Sequence, residues 1–140
     1  PDTFFTGLHN YSEKIVKYSD SRGIEKLIES FIESYKKNDT FFNKADILIT
    51  QGGSEAIFFT LMAICNEGDN ILVPEPFYSN YSSFCHFAGA EINPIETKIE
   101  NNFHLPPMEE IEKLITPKTR AILLKFLWLE KLQRNMIFIF

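Results

Sequence analysis

The chain has 140 residues, 44% of them hydrophobic and 24% charged, and 19 acidic against 14 basic residues give a formal charge of −5. That length and apolar content predict one domain with a core and exclude a disordered chain. The acidic balance, without a run of Lys or Arg, argues against a nucleic-acid platform or a polybasic membrane anchor, and no stretch approaches the roughly 20 apolar residues of a membrane span.

Cysteine and histidine spacing excludes two further classes of site. Cys65 and Cys85 lack CxxC spacing, so neither a zinc site nor a disulfide framework is expected. The three histidines are far apart in sequence and show no ligand spacing. The start at Pro1 and Asp2 lacks the basic residues of a signal peptide. We therefore expect a soluble, cytoplasmic protein without a metal.

The first half of the chain predicts a helix, a strand and a second helix. Apolar residues recur at helical intervals over 23–37 with charged residues on the opposite face, and Gly23 stands at the start. Residues 47–50 are typical of a short buried strand, 51–54 of a turn, and 56–64 of a largely apolar helix.

The second half repeats the pattern of strand, turn and helix. Asp69 is predicted as a turn residue, and Gly89 is predicted to end a helix. Residues 125–140 have no clean period and are consistent with one more helix or with a helix ending in a strand. The repeating order predicts an α/β fold with a mostly parallel sheet. The predicted strands are 71–73, 91–97 and 121–124, and the predicted helices are 78–88 and 108–115.

The bend before the second helix is the most informative segment. A buried strand, Gly52, Gly53 and a helix opening at Ser54 present free amide groups and the positive end of a helix dipole to an anion such as phosphate. A tight turn without a ligand explains the same residues equally well, and Ser54 could equally cap the helix. Glu55 would repel a phosphate unless its side chain points away. Neither GxGxxG nor a P-loop is present.

Four blocks of sequence follow one another: YSDSRG at 18–23, DILITQGGSEA at 46–56, GDNILVPEPFY at 68–78 and TPKTRAILL at 116–124. Together they resemble the class I and II aminotransferases, the fold-type-I enzymes that use pyridoxal 5'-phosphate, and aspartate-aminotransferase-like members above all. The resemblance covers about residues 1–124. It implies a fragment of the large cofactor-binding domain, a mostly parallel sheet with flanking helices.

The resemblance implies roles for five residues. Gly52, Gly53 and Ser54 would hold the cofactor phosphate at the helix N-terminus. Tyr78 would stack on the pyridine ring, or else be an ordinary aromatic on the buried face of a short helix. Tyr18 would reach across a homodimer to the neighbour's cofactor phosphate, or else be a surface aromatic that precedes a helix.

The residues that carry the family's chemistry have no match here. No Schiff-base lysine, pyridine-binding aspartate or carboxylate-binding arginine can be assigned, and Lys44, Lys98 and Lys118 do not match the lysine position. The family's Asn-Pro-x-x-Pro-Thr-Gly loop is expected after 121–124, but Lys125 and Phe126 follow instead. We expect 125–140 to be an out-of-frame or foreign tail on a truncated product.

The implied parent activity is transfer of an amino group from an amino acid such as aspartate to a 2-oxo acid through pyridoxal 5'-phosphate. We expect the isolated chain to bind the cofactor feebly and not to transaminate. Two alternatives stay open: a β-lyase or cyclopropane-forming synthase on the same scaffold, and a non-enzymatic remnant that binds or dimerises.

Overall fold

The computed structural model describes residues 1–12, 15 and 17–124, and the backbone of 136–139. They divide into two compact units, Pro1–Thr50 and Gln51–Phe140, which we describe separately. The sequence pattern, which indicated one domain without a linker, does not reveal this division. None of the helices in the described ranges is long and apolar enough to cross a membrane.

The first unit contains α1 (Asp2–His9), α2 (Glu25–Lys36) and a short 3-10 helix (Lys44–Asp46). Helix α2 confirms the amphipathic helix predicted over 23–37, and it begins after Ile24 as the N-cap. The Lys44 Nζ lies 2.6 Å from a carboxylate oxygen of Glu25 and 2.7 Å from one of Glu29, so it joins the 3-10 helix to the polar face of α2.

The strand predicted at 47–50 is wrong, because these residues join no strand of the sheet. The Ile49 N–H donates a hydrogen bond to the Arg22 carbonyl at 2.9 Å. An apolar run of four residues predicts burial, but a strand also needs a neighbouring backbone as its ladder partner. No described strand supplies one.

Close packing against Ile49 explains Gly23, a role that the sequence did not indicate. Gly23 has φ +111°, and a Cβ at this position would collide with the Cβ of Ile49. Only glycine combines that backbone conformation with such a close approach.

The second unit is a four-stranded sheet flanked by helices, in the order β2-β1-β3-β4. Strand β1 pairs in parallel with β2 and β3, while β4 pairs antiparallel with β3. This confirms the predicted α/β fold with a mostly parallel sheet. The elements are α3 (Gly53–Ile64), β1 (Asp69–Pro74), α4 (Asn80–Phe87), β2 (Ala90–Ile95), a 3-10 helix (Ile99–Asn101), α5 (Met108–Glu112), β3 (Thr119–Leu124) and β4 (Met136–Ile139).

Helices cover both faces of this sheet. Ile71 and Val73 of β1 belong to a buried cluster with residues of α3 and α4, whereas Leu72 belongs to a second cluster with Ile111 of α5. The alternation follows from the two-residue period of a strand. Because both faces are covered, the centres of β1 and β3 are apolar on both sides, as in other parallel sheets, whereas β2 carries an exposed acid.

Element ends differ from the sequence predictions by a few residues. Helix α4 begins at Asn80, so Tyr78 precedes it, and α5 ends at Glu112. Strand β2 ends at Ile95, two residues before the predicted end. Strand β4 agrees with a final strand in the last segment, while 125–135, including the predicted mismatch to the family loop, lie outside the described residues.

Candidate cofactor site

The Gly-Gly bend opens α3 in a backbone conformation that depends on glycine. Gly52 is the N-cap of the helix, with φ 126° and ψ 179°, a region that essentially only glycine occupies. Its carbonyl accepts the N–H of Ala56 at 3.1 Å. The helix therefore begins at Gly53, one residue before the predicted opening at Ser54.

The start of α3 offers an open surface of backbone amides. No side chain caps the helix, so Ser54 does not act as its cap. A Cβ built on Gly52 or Gly53 would meet nothing within 4 Å, and Ser54 is exposed. The first amides of a helix have no intrahelical acceptor and carry the positive end of its dipole. Such a surface suits an anion with several oxygens.

Glu55 turns toward the bend that it follows. Its carboxylate accepts the Gln51 N–H at 2.6 Å. An acid in the first turn of a helix complements the dipole, but it also lowers the positive potential that an anionic ligand meets. The Glu55 side chain therefore points toward the bend and not away from it, so its charge opposes the binding of a phosphate there.

Tyr78 lies in the loop between β1 and α4, with 48% of its surface exposed. Its ring meets the Tyr81 ring edge-on, with centroids 5.6 Å apart. The alternative of an aromatic on the buried face of a helix is wrong, because Tyr78 precedes α4 and is half exposed. About half of the Tyr78 surface is therefore accessible to a ligand.

The bend and Tyr78 lie toward the same end of the sheet. A four-residue connection, 65–68, reverses the chain between α3 and β1, so the start of α3 lies toward the end of β1, where Tyr78 follows. Ile57 of α3, Val73 of β1 and Tyr81 of α4 belong to one buried cluster. The carboxyl ends of parallel strands are the usual ligand-binding edge of an α/β sheet.

Tyr18 belongs to the first unit, where its side chain is fully exposed at 106% of the reference surface. Full exposure agrees with the surface-aromatic alternative and leaves the ring accessible. Its role across a dimer stays a prediction.

An ion pair at the opposite end of the sheet stabilises the strands rather than the site. Asp69, predicted as a turn residue, is buried at the start of β1 and accepts hydrogen bonds from Arg120 Nε at 2.8 Å and Nη2 at 3.2 Å. These bonds, together with the Asn66 N–H, lower the pKa of Asp69 to about 2. The pairing could have been predicted in principle, since Asp69 and Arg120 lie one or two residues before the predicted strands 71–73 and 121–124 of a mostly parallel sheet.

Other candidate groups stay separate from this site. Cys65 and Cys85 are both free thiols, and burial raises the pKa of Cys85 to about 11. Within the described ranges no group of three or more His, Cys, Asp or Glu is placed to hold a metal ion. A surface hollow of about 570 Å³ is lined by residues between Glu96 and Glu110, which include none of the predicted site residues.

A sequence profile described as aminotransferase class I and II matches residues 7–133. The aspartate aminotransferase of Thermotoga maritima is 35% identical over 113 residues, 78% of this chain and 29% of that protein. The aspartate/prephenate aminotransferase of Thermus thermophilus is 32% identical, over 76% of this chain and 28% of that protein. The chain thus spans under a third of the relatives' length. The profile match runs past 124, and the boundary there stays a prediction.

Solved structures agree with these relatives. The crystal structure of the Thermotoga maritima aspartate aminotransferase superposes with a TM-score of 0.79 at 29% identity, over 87% of this chain and 33% of that one. An aspartate aminotransferase of Thermus thermophilus gives a TM-score of 0.71 at 32% identity, over 76% and 28%.

Proposed function

The chain belongs to the class I and II aminotransferase family, and we propose that it is the part of such an enzyme that holds pyridoxal 5'-phosphate by its phosphate and its ring. The observation that carries this proposal is the open, amide-lined start of α3 at the same end of the sheet as the exposed Tyr78 ring. The donor set fits the group, since amides suit a phosphate and an electron-rich face suits a pyridinium.

The chain's own residues bind and orient the cofactor in this proposal. The amides of Gly53 and Ser54, with the Ser54 hydroxyl, donate to the phosphate oxygens, and Tyr78 stacks against the ring. Bound pyridoxal phosphate supplies the electron sink that amino transfer requires. Because the anchoring groups lie on a helix start and beside a buried aromatic, they hold the ring in one orientation.

For the whole enzyme we propose amino transfer between an amino acid such as aspartate and a 2-oxo acid. The names of the relatives, aspartate and aspartate/prephenate aminotransferase, support amino transfer over elimination or ring closure on the same scaffold. Further proposals are a cytoplasmic homodimer in which Tyr18 reaches the partner's cofactor phosphate, and the absence of a role in nucleic-acid or membrane binding.

The test is binding of pyridoxine 5'-phosphate and of pyridoxine to the 140-residue chain by isothermal titration calorimetry. Pyridoxine 5'-phosphate has no aldehyde, so it cannot react with surface lysines. We expect the phosphate ester to bind more tightly, and added salt to weaken the difference.

Two variants locate the binding. Ser54→Ala removes a hydroxyl donor, and Gly53→Ala places a methyl group in the open space before the amides. Each variant is expected to lower the affinity for pyridoxine 5'-phosphate about three- to tenfold. Ser83→Ala, which changes an exposed serine of α4, is the matched control and leaves affinity unchanged. Equal binding of the two ligands, or full affinity in both site variants, would contradict the proposal.

A further inference from the structure

We propose that Asn80 is a positioning residue, which holds the Tyr78 ring in the orientation needed to stack on the cofactor. This inference rests on the proposed function. Asn80 is not among the site residues predicted from the sequence, where it stands in a polar stretch between two tyrosines.

The Tyr78 side chain makes two contacts, one through its hydroxyl and one through its ring. The Asn80 Nδ2 donates a hydrogen bond to the Tyr78 hydroxyl oxygen at 2.8 Å. The Tyr81 ring meets the Tyr78 ring at 82°, and Tyr81 itself is only 5% exposed. The hydrogen bond therefore holds the hydroxyl end of the ring, and a buried aromatic supports its body.

Asn80 and Tyr78 lie on either side of the start of α4. Asn80 is the first residue of α4, which keeps its backbone fixed, whereas Tyr78 lies in the preceding loop. Loop side chains lose more conformational freedom on binding than side chains already held by their neighbours. An anchored Tyr78 therefore has less freedom to lose when a ligand stacks on it.

The proposal also explains why residue 78 is a tyrosine and not another aromatic residue. Phenylalanine would supply the same ring face, but it has no hydroxyl to accept the Asn80 amide. The hydroxyl of Tyr78 thus acts through position, and the pair should behave as one unit.

A double-mutant cycle on the 140-residue chain tests that unit. The variants are Tyr78→Phe, Asn80→Ser and the double variant, and the ligands are pyridoxine 5'-phosphate and inorganic phosphate. Serine is chosen because it is accepted at a helix start and is too short to reach the hydroxyl. Each single variant should lower the affinity for pyridoxine 5'-phosphate about three- to tenfold, and the double variant should lower it by no more than a single variant does.

Inorganic phosphate separates positioning from folding. Its affinity should stay the same in all variants, because it contacts the bend and not the ring. The change in thermal midpoint should be no larger than that caused by Asn101→Ser, which replaces an exposed asparagine elsewhere in the unit. NMR of the ligand-free chain adds a readout: the Asn80 side-chain amide should shift in Tyr78→Phe, and the Tyr78 ring signals should narrow in Asn80→Ser as the ring gains freedom.

The outcomes are distinguishable. Additive losses, unchanged affinity in Tyr78→Phe, or an equal loss for inorganic phosphate in Asn80→Ser would overturn the role of Asn80 while leaving the phosphate site standing. If the unmodified chain does not prefer pyridoxine 5'-phosphate over pyridoxine, the proposed function fails and the role of Asn80 fails with it.

Discussion

At the scale of single residues, glycines carry two different requirements. Gly52 is needed for its backbone conformation alone, since a Cβ there meets open space, whereas Gly23 combines positive φ with close approach to Ile49. From the sequence alone, Gly23 and Gly52 are predicted only as residues at a turn or at the start of a helix. The tertiary structure distinguishes a glycine that packs against a side chain from one that faces open space.

Gly23→Ala should destabilise the first unit by about 1–3 kcal/mol or more, because it adds backbone strain and a collision with Ile49. Urea unfolding, followed by circular dichroism, measures the loss. Gly7→Ala is the control, since a Cβ at Gly7 in α1 meets nothing within 4 Å and alanine favours a helix. Equal stability of the Gly23 and Gly7 variants would show that the close approach is not required.

Glu55→Gln should raise the affinity of the bend for inorganic phosphate several-fold. Glutamine keeps an oxygen to accept the Gln51 N–H but removes a negative charge next to the site. Phosphate titrations at low and high salt measure the effect, which should shrink with salt. Glu91→Gln, an exposed acid of β2, serves as control; a gain of the same size there would mean that only net charge matters.

At the scale of elements, the parallel pairing of β1 and β3 brings Asp69 to Arg120. Each residue stands near the start of its strand, so parallel alignment makes them neighbours although 51 positions separate them. The pair closes the end of the sheet away from the candidate site, and it leaves Asp69 buried without an unsatisfied oxygen. Burial of a carboxylate requires such a partner.

Acid should weaken this end of the sheet. The pKa of Asp69 falls from 3.8 to about 2 on folding, so its contribution is complete above pH 3.8 and is lost as the pH falls toward 2. Thermal unfolding of the unmodified chain and Asp69→Asn should therefore differ by a constant amount near neutral pH, and the difference should shrink below pH 3.8. A difference that persists unchanged at pH 2 would contradict the assignment.

At the scale of the whole molecule, large apolar side chains remain exposed in both units. In the second unit, Phe59, Met62 and Phe87 on α3 and α4 are 47%, 53% and 70% exposed. The Phe58 ring contacts the rings of both Phe59 and Phe87, so the two exposed rings are linked through a third aromatic ring. Such surfaces favour association between molecules.

We expect low solubility and concentration-dependent association of the 140-residue chain. Sedimentation velocity at several concentrations measures association, and Phe87→Ser should raise the concentration at which monomer persists. Ser83→Ala on the same helix is the control. A monodisperse monomer with a cooperative thermal transition would contradict this prediction.

Local sequence patterns were enough to predict several helices and strands and the family of this protein. Helix α2 follows from its amphipathic period, β1 and β3 follow from apolar runs between turn signals, and family membership follows from four ordered blocks. Those features are carried by neighbouring residues, so the sequence displays them directly.

Only the tertiary structure decided the rest. The run at 47–50 reads as a strand but finds no ladder partner among the described strands, and Asp69 reads as a turn residue but is buried against Arg120. The Asn80 contact with Tyr78 depends on where α4 begins, which propensity does not locate to the residue. In each case the outcome depends on a contact in space, present or missing, and its geometry is set by packing rather than by spacing along the chain.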